Sequence, residues 1–144
     1  MNMKEQQKQE LESFLGQWPE TSDKNKSVFV HFKNYLSEKE GVTLDFLSRP
    51  GVTYSLRATH CNQKDKDLFV MVDVIEDTPR WLSICFYSAM VTDPEERGDW
   101  VPGGLLGEDA ICFDIEEMDA ARIKYIENRL EEACLAAMQE EGNR

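Results

Sequence analysis

Two consecutive apolar runs in the middle of the chain restrict its fold more than any other feature. Residues 68–75, LFVMVDVI, and residues 81–91, WLSICFYSAMV, are rich in β-branched and aromatic residues and are apolar on both faces of an extended chain. A turn sequence at residues 77–80 separates them. Two strands with so short a connection pair antiparallel, so we predict a hairpin at the centre of a sheet.

Residues on either side of this hairpin predict further elements. Apolar residues recur at spacings of three and four in residues 3–17, 24–39 and 119–139, which indicates three amphipathic helices. Alternation with period two predicts strands at residues 42–46 and 54–60, and an apolar run predicts another at 110–115. Arg49-Pro50-Gly51-Val52, between the first two strands, has the chemistry of a type II turn.

Two helices, a run of strands and a final helix form an α+β order of elements. We predict one two-layer α+β domain over residues 1–144, with a four- or five-stranded, mainly antiparallel sheet, two N-terminal helices and one C-terminal helix. Residues 1–22 would be an N-terminal helix and linker, which could be loosely attached to the rest.

Residues 92–109 have no periodicity and contain four Gly and two Pro, so we interpret them as one long loop. Its apolar residues include Val101, and the candidates for contact with a partner are Trp100, Leu105 and Leu106. Three helices can cover only one face of the sheet. The loop residues therefore either fold back onto the other face or bind a partner. We favour fold-back, and a monomer over a homodimer.

Charge is distributed very unevenly along the chain. Residues 1–72 carry equal numbers of basic and acidic side chains, so the whole net charge of −12 lies in residues 73–144. Nucleic acids and anionic lipids require clustered Lys and Arg, so we expect neither nucleic acid nor membrane as a partner. Hard cations prefer several oxygen ligands from a loop. The candidate ligands are Asp93, Glu95, Glu96 and Asp99, although the spacing of a calcium loop is absent.

The cysteines, Cys61, Cys85, Cys112 and Cys134, show no C-x-x-C spacing. We find neither an apolar signal segment nor a run of about 20 apolar residues that could span a bilayer. We therefore expect a cytoplasmic protein, in which thiols stay reduced, and predict four free cysteines.

Two smaller features have candidate chemistry. His60 and Cys61 are adjacent at a strand end, but neighbouring side chains of a strand point to opposite faces, which disfavours a Cys–His nucleophile. Arg57 is a charged residue among apolar neighbours. We expect it to face solvent or to pair with an acid such as Asp73 on the next strand, with carboxylate binding as an alternative.

Several stretches resemble known proteins. The strings RPGVTYSLRA (49–58) and PGGLLGEDAICFDIEE (102–117), with the strand pair LFVMVDV and RWLSICFY, resemble a set of small bacterial proteins of unknown function. The order of elements over residues 25–140 also resembles, more loosely, the YdhG-like α+β domains. That group is similar in shape to frataxin, which implies a link to iron handling. Frataxin concentrates its acids on its first helix and strand, whereas the first half of this chain is neutral, so no functional residue is carried over.

The sequence has no Ser-His-Asp set, nucleotide fingerprint or metal motif, and its two histidines offer few general bases. We therefore lean against an enzyme, expect no cofactor, and predict a non-enzymatic interaction or regulatory domain that binds a protein partner. Two alternatives stay open. One is cation binding by the acidic second half, and the other is a small-ligand-binding domain, which a cavity with converging polar groups would favour.

Overall fold

The computed structural model describes residues 3–140. Its α-helices are α1 (Glu5–Gln17), α2 (Asn25–Ser37) and α3 (Ala120–Gln139). Its strands are β1 (Val42–Arg49), β2 (Thr53–His60), β3 (Val70–Ile75), β4 (Trp81–Tyr87), β5 (Asp99–Leu105) and β6 (Glu108–Ile115). A 3₁₀ turn, Ser88–Met90, follows β4, so this strand is shorter than the predicted 81–91.

The strands form one sheet in the order β1-β2-β3-β4-β6-β5, and every neighbouring pair is antiparallel. The predicted two-layer α+β fold, with two N-terminal helices and one C-terminal helix, is therefore confirmed. The central β3–β4 hairpin is confirmed as well, with Met71 opposite Cys85 and Ile75 opposite Trp81. The predicted type II turn is present: Gly51 has a φ of 83°, and the Val52 N–H donates to the Arg49 carbonyl at 2.9 Å.

The predicted strand count of four or five is wrong, because the sheet of the described residues has six strands. The additional strand is β5, which lies inside the segment that we interpreted as one loop. It pairs with β6 from Asp99 to Val101 and again at Leu105, with a register shift between. Leu106 and Gly107, both at positive φ, connect β5 to β6, as in a two-residue hairpin turn.

The main core lies between the helices and one face of the sheet. Alternate strand residues such as Leu44, Leu56, Val72, Ile84 and Phe113 are almost fully buried there. All three helices contribute buried side chains to the same core: Leu11, Phe14, Phe29, Phe32, Ile126 and Leu130. The first helix, which the sequence left open as a loosely attached segment, thus packs through Leu11 and Phe14. Each Å² of apolar surface buried in this core stabilises the fold by roughly 25 cal/mol.

Candidate functional site

The other sheet face lies on the side opposite the main core, and we call it the open face. Directly paired strand residues share a face, so the register defines two rows of side chains across it. The first row consists of Asp45, Arg57, Met71, Cys85, Cys112 and Asp99, one from each strand. The second row consists of Leu47, Ser55, Asp73, Ser83 and Asp114. The second row is therefore polar at its centre, whereas the first row has apolar residues at its centre and charged residues towards the edges of the sheet.

Asp73 is the central carboxyl group of the second row. It lies between Ser55 on β2 and Ser83 on β4, and its Oδ1 atom is fully buried without a hydrogen-bond partner among the described residues. Burial raises the pKa of Asp73 above its ordinary value, although the Ser55 hydroxyl and the Arg57 and Arg49 charges oppose the shift. A buried, unsatisfied acceptor of this kind costs stability, so its presence on a polar face marks a candidate site.

Arg57 belongs to the first row and lies on β2, the strand next to that of Asp73. Its Nε donates to the Ser55 Oγ at 3.2 Å. Asp45 is directly opposite Arg57 in register, but neither Asp45 nor Asp73 forms an ion pair with Arg57 within 4.0 Å, nor does any other carboxylate of residues 3–140. The expected pairing of Arg57 with Asp73 is therefore a charge interaction at longer range, not a contact.

Arg57 also lines a cleft of about 370 Å³, which we call the Arg57 cleft. The lining residues are Gln7, Asp45, Leu47, Arg57, Thr59, Asp67, Leu68 and Leu106. They come from α1, from β1 and β2, from the β2–β3 connection and from the β5–β6 turn. The cleft thus brings together one cation, two carboxylates and three leucines.

The prediction of four free cysteines is wrong. Cys85 and Cys112 lie opposite each other in β4 and β6 and form a disulfide, with a Cα–Cα distance of 4.1 Å. The free thiols are Cys61, which is exposed, and Cys134, which is buried. The disulfide belongs to a small apolar cluster on the open face that also contains Leu68, Tyr87, Leu105 and Ala110.

The predicted cation ligands do not converge as a set. Asp93 accepts hydrogen bonds from the Arg97 and Gly98 N–H groups, at 3.0 and 2.9 Å, and from the Tyr125 hydroxyl. Glu95 pairs with the Arg97 side chain at 3.0 Å. Glu96 is exposed in the same turn, whereas Asp99 lies in the first row of the open face, on β5. Over residues 3–140 no group of three or more His, Cys, Asp or Glu side chains is arranged to hold a metal ion.

The predicted partner-contact residues have two different environments. Leu105 is 1% exposed and packs into the apolar cluster on the open face, as the fold-back interpretation requires. Trp100 and Leu106 remain 59% and 52% exposed. Only part of the predicted apolar set therefore folds back onto the domain.

A second cleft, of about 420 Å³, lies between α2 and α3 on the helical side. Val28, Met118 and Ile123 supply its apolar lining. His31 and Glu127 also line it, and the His31 Nε2 lies 2.7 Å from the Glu127 Oε2. Both polar groups are thus already partnered with each other.

His60 and Cys61 do not form a catalytic pair. The Cys61 Sγ lies 3.9 Å from the His60 Nδ1, but this nitrogen already accepts the Asn62 N–H at 3.1 Å. A nitrogen that accepts a backbone hydrogen bond is not available to remove a proton from the thiol.

Sequence analysis identified Arg57, with Asp73 as a candidate partner, but missed both the disulfide and the burial of the Asp73 carboxyl group. The two cysteines are separated by 27 residues, so only the register of β4 against β6 brings them together. Asp73 interrupts an otherwise apolar run in LFVMVDVI, and that interruption is the signal that could have identified it.

Comparisons with known proteins found no family model, no curated protein and no solved structure that matches the chain. The resemblance to YdhG-like domains therefore stays a prediction. Among the described residues, no helix is both long and apolar enough to cross a lipid bilayer.

Proposed function

We propose that the chain is a non-enzymatic interaction domain that binds a protein partner through the β5–β6 hairpin. Its contact surface would be the exposed edge of this hairpin, with Trp100 on one face of β5, Val101 on the other and Leu106 in the turn, which we call the hairpin patch. The observation that carries the proposal is the exposure of Trp100, which is 59% although this side chain is large and apolar. Tryptophan is enriched among the residues that dominate binding energy in protein interfaces.

The backbone of β5 favours contact through side chains over strand addition. β5 is an edge strand with β6 as its only neighbour, so one row of backbone groups is unpaired within the described sheet. However, Pro102 and the register shift between Val101 and Leu105 interrupt that row. Prolines and bulges of this kind blunt an edge against pairing with another strand.

Charge around the hairpin patch favours a different protein over a second copy of this chain. Asp99, Glu108 and Asp109 flank the patch on β5 and β6. Lys66 neutralises Glu108 through an ion pair, which leaves an acidic rim. Like charges facing each other across a symmetric interface would repel, so we propose a monomer and a partner with a basic rim around an apolar pocket.

A photo-crosslinking residue at position 101 tests the proposal in cells that produce the protein. Val52 is the matched control, because it is also a valine, is 59% exposed and lies at the β1–β2 turn, away from the hairpin. We expect one dominant adduct from position 101 and none from position 52. The adduct mass distinguishes a second copy of this chain from another protein.

The crosslinked protein is then identified, purified and titrated against variants. We expect Trp100→Ala to weaken its binding by about tenfold or more, since central aromatic residues contribute about 2 kcal/mol or more to an interface. Val52→Ala should leave the affinity unchanged. Equal crosslinking at both positions, or equal affinities of the two variants, would refute the proposal.

Cation binding by the acidic second half, including a role in iron handling, is the alternative to this proposal. No geometric observation favours it, since Asp93 and Glu95 are engaged with protein groups. We also propose a cytoplasmic location. The Cys85–Cys112 disulfide weighs against this location, because disulfides are rare in reducing compartments.

A further inference from the structure

The Arg57 cleft contains a guanidinium group whose binding capacity is mostly unused. Arg57 presents five N–H donors, and only its Nε has a hydrogen-bond partner among residues 3–140, the Ser55 Oγ. If Arg57 served only to balance charge, pairing with Asp45 directly opposite would be the simplest arrangement, yet no ion pair within 4.0 Å forms. The planar fork of Arg matches a carboxylate with two parallel hydrogen bonds.

The same cleft contains acceptors for a positive group. Asp45 from β1 and Asp67 from the β2–β3 connection both line it. Asp67 is exposed, and the Thr59 hydroxyl holds its carbonyl oxygen at 2.8 Å, which fixes this segment against β2. Two carboxylates beside one guanidinium give the cleft a net negative charge, so a simple anion would be repelled. A ligand with both a carboxylate and an ammonium group would satisfy all three side chains.

Besides Gln7 and Thr59, the remaining lining residues of the cleft are three leucines. Leu47 is 38% exposed and Leu106 is 52% exposed, whereas Leu68 is buried behind them. Exposed leucines beside a charged group are a typical surface for an aliphatic side chain. The volume of about 370 Å³ is at the small end of the range for ligand sites, which run from roughly 300 to 1,000 Å³.

We propose that the Arg57 cleft binds a free α-amino acid with an apolar side chain. Arg57 would hold the carboxylate, Asp45 and Asp67 the ammonium group, and Leu47, Leu68 and Leu106 the side chain. The site is distinct from the hairpin patch, apart from Leu106, and the inference does not depend on the protein partner. Failure of one proposal therefore leaves the other intact.

Calorimetric titration with three related compounds tests the charge pattern of the ligand. L-leucine carries both charged groups, N-acetyl-L-leucine lacks the ammonium group, and L-leucinamide lacks the carboxylate. The two derivatives also mimic the C-terminus and the N-terminus of a peptide. We expect leucine to bind with one site per chain and each derivative to bind about tenfold or more weakly, because each loses a charge-assisted hydrogen bond.

Substitutions of cleft residues then test whether leucine binds in the Arg57 cleft. Arg57→Gln should weaken leucine about tenfold or more by removing the charge. Arg97→Gln is the matched control, because Arg97 pairs with Glu95 outside the cleft and should not affect binding. Should Arg57→Gln fail to fold, Asp67→Asn at an exposed loop position is the second variant, expected to weaken leucine but not N-acetyl-leucine.

Three results would overturn the proposal. The first is no heat and no rise in melting temperature with leucine, isoleucine, valine or methionine at about 10 mM, since a bound ligand must stabilise the native state. The second is binding of leucinamide or N-acetyl-leucine as tightly as leucine. The third is unchanged leucine affinity in a folded Arg57→Gln or Asp67→Asn variant.

Discussion

Asp73 and Asp93 are carboxyl groups whose pKa values move in opposite directions, because their hydrogen-bond partners differ. Burial raises the pKa of Asp73, and the Ser55 hydroxyl compensates only in part. Burial acts in the same direction at Asp93, but the Tyr125 hydroxyl and the Gly98 and Arg97 N–H groups lower its pKa below the ordinary value. Asp93 therefore has a structural explanation as the acceptor that closes the turn after β4, whereas Asp73 has none.

We expect Asp73→Asn to stabilise the fold at neutral pH by on the order of 1 kcal/mol, because it removes the cost of keeping a charged carboxylate buried. The folded-state pKa of Asp73 is raised, so the native state binds its proton more tightly than the unfolded chain does. The cost is therefore absent below the ordinary value of 3.8 and grows as pH rises towards the folded-state pKa.

Urea unfolding at pH 7 and in acid measures this effect. The gain from Asp73→Asn should be present at pH 7 and should shrink as the pH falls towards the ordinary pKa of Asp73. Glu12→Gln is the control, because Glu12 is an exposed carboxylate on α1, and the free energy of unfolding of this variant should stay close to wild type. Destabilisation by Asp73→Asn at pH 7 would show that the charged form stabilises the native state.

At the scale of elements, the spacing of apolar residues was sufficient to predict a helix or strand that is buried on both faces or has a regular apolar period. The central β3–β4 hairpin and the three helices follow directly from apolar runs and from spacings of three and four. β5 could not be predicted in this way, because six of its seven residues are exposed, so neither of its faces requires a regular series of apolar residues. Its composition is that of a loop, with Pro102, Gly103 and Gly104 in sequence. Only its pairing with β6 shows that it is a strand.

Asn25, the first residue of α2, connects three elements that are distant in sequence. Its side chain is fully buried, and its Nδ2 donates to the carbonyl oxygens of Arg80 and Glu116, both at 2.9 Å. Arg80 precedes β4 and Glu116 follows β6. These two hydrogen bonds tie the start of α2 to one end of the sheet.

We expect Asn25→Ala to destabilise the fold by about 2–3 kcal/mol, because it removes a fully buried side chain and leaves two carbonyl groups without their donor. Asn34→Ala is the matched control, since Asn34 lies exposed in the same helix and loses no buried contact. Thermal and urea unfolding of both variants measure the difference. Equal melting temperatures would mean that water or a shifted side chain replaces the donor.

At the scale of the whole molecule, the candidate site is a product of strand register and could not be derived from local patterns. Arg57 was a candidate from sequence, but its neighbours Asp45 and Met71 are set by the pairing of β2 with β1 and β3. Asp67 and Leu106 also line the Arg57 cleft, and they lie at very different distances from Arg57 along the sequence. Long-range register of this kind leaves no trace in the periodicity of one segment.

The Cys85–Cys112 disulfide spans the part of the chain that local patterns described least well. It closes a loop over a sequence separation of 27 that contains the 3₁₀ turn, β5 and the start of β6. In the chain-entropy model, such a crosslink stabilises the fold by about 3.5 kcal/mol, mainly by restricting the unfolded chain. Five further residue pairs join β4 to β6 beside the disulfide, so we expect the fold itself to survive reduction.

We therefore expect reductant to lower the free energy of unfolding of the wild-type protein by about 3.5 kcal/mol without unfolding it. The double variant Cys85→Ala/Cys112→Ala should be insensitive to reductant, whereas Cys61→Ala, at an exposed free thiol, should keep the wild-type response. Urea unfolding with and without reductant measures the change. Thiol labelling of the denatured protein after acid quenching of the cells reports the native redox state, because denaturation also exposes the buried Cys134. Protection of Cys85 and Cys112 alone would support the disulfide and oppose the proposed cytoplasmic location. Labelling of all four cysteines, with no effect of reductant on stability, would contradict the disulfide and favour that location, because the cytosol keeps thiols reduced.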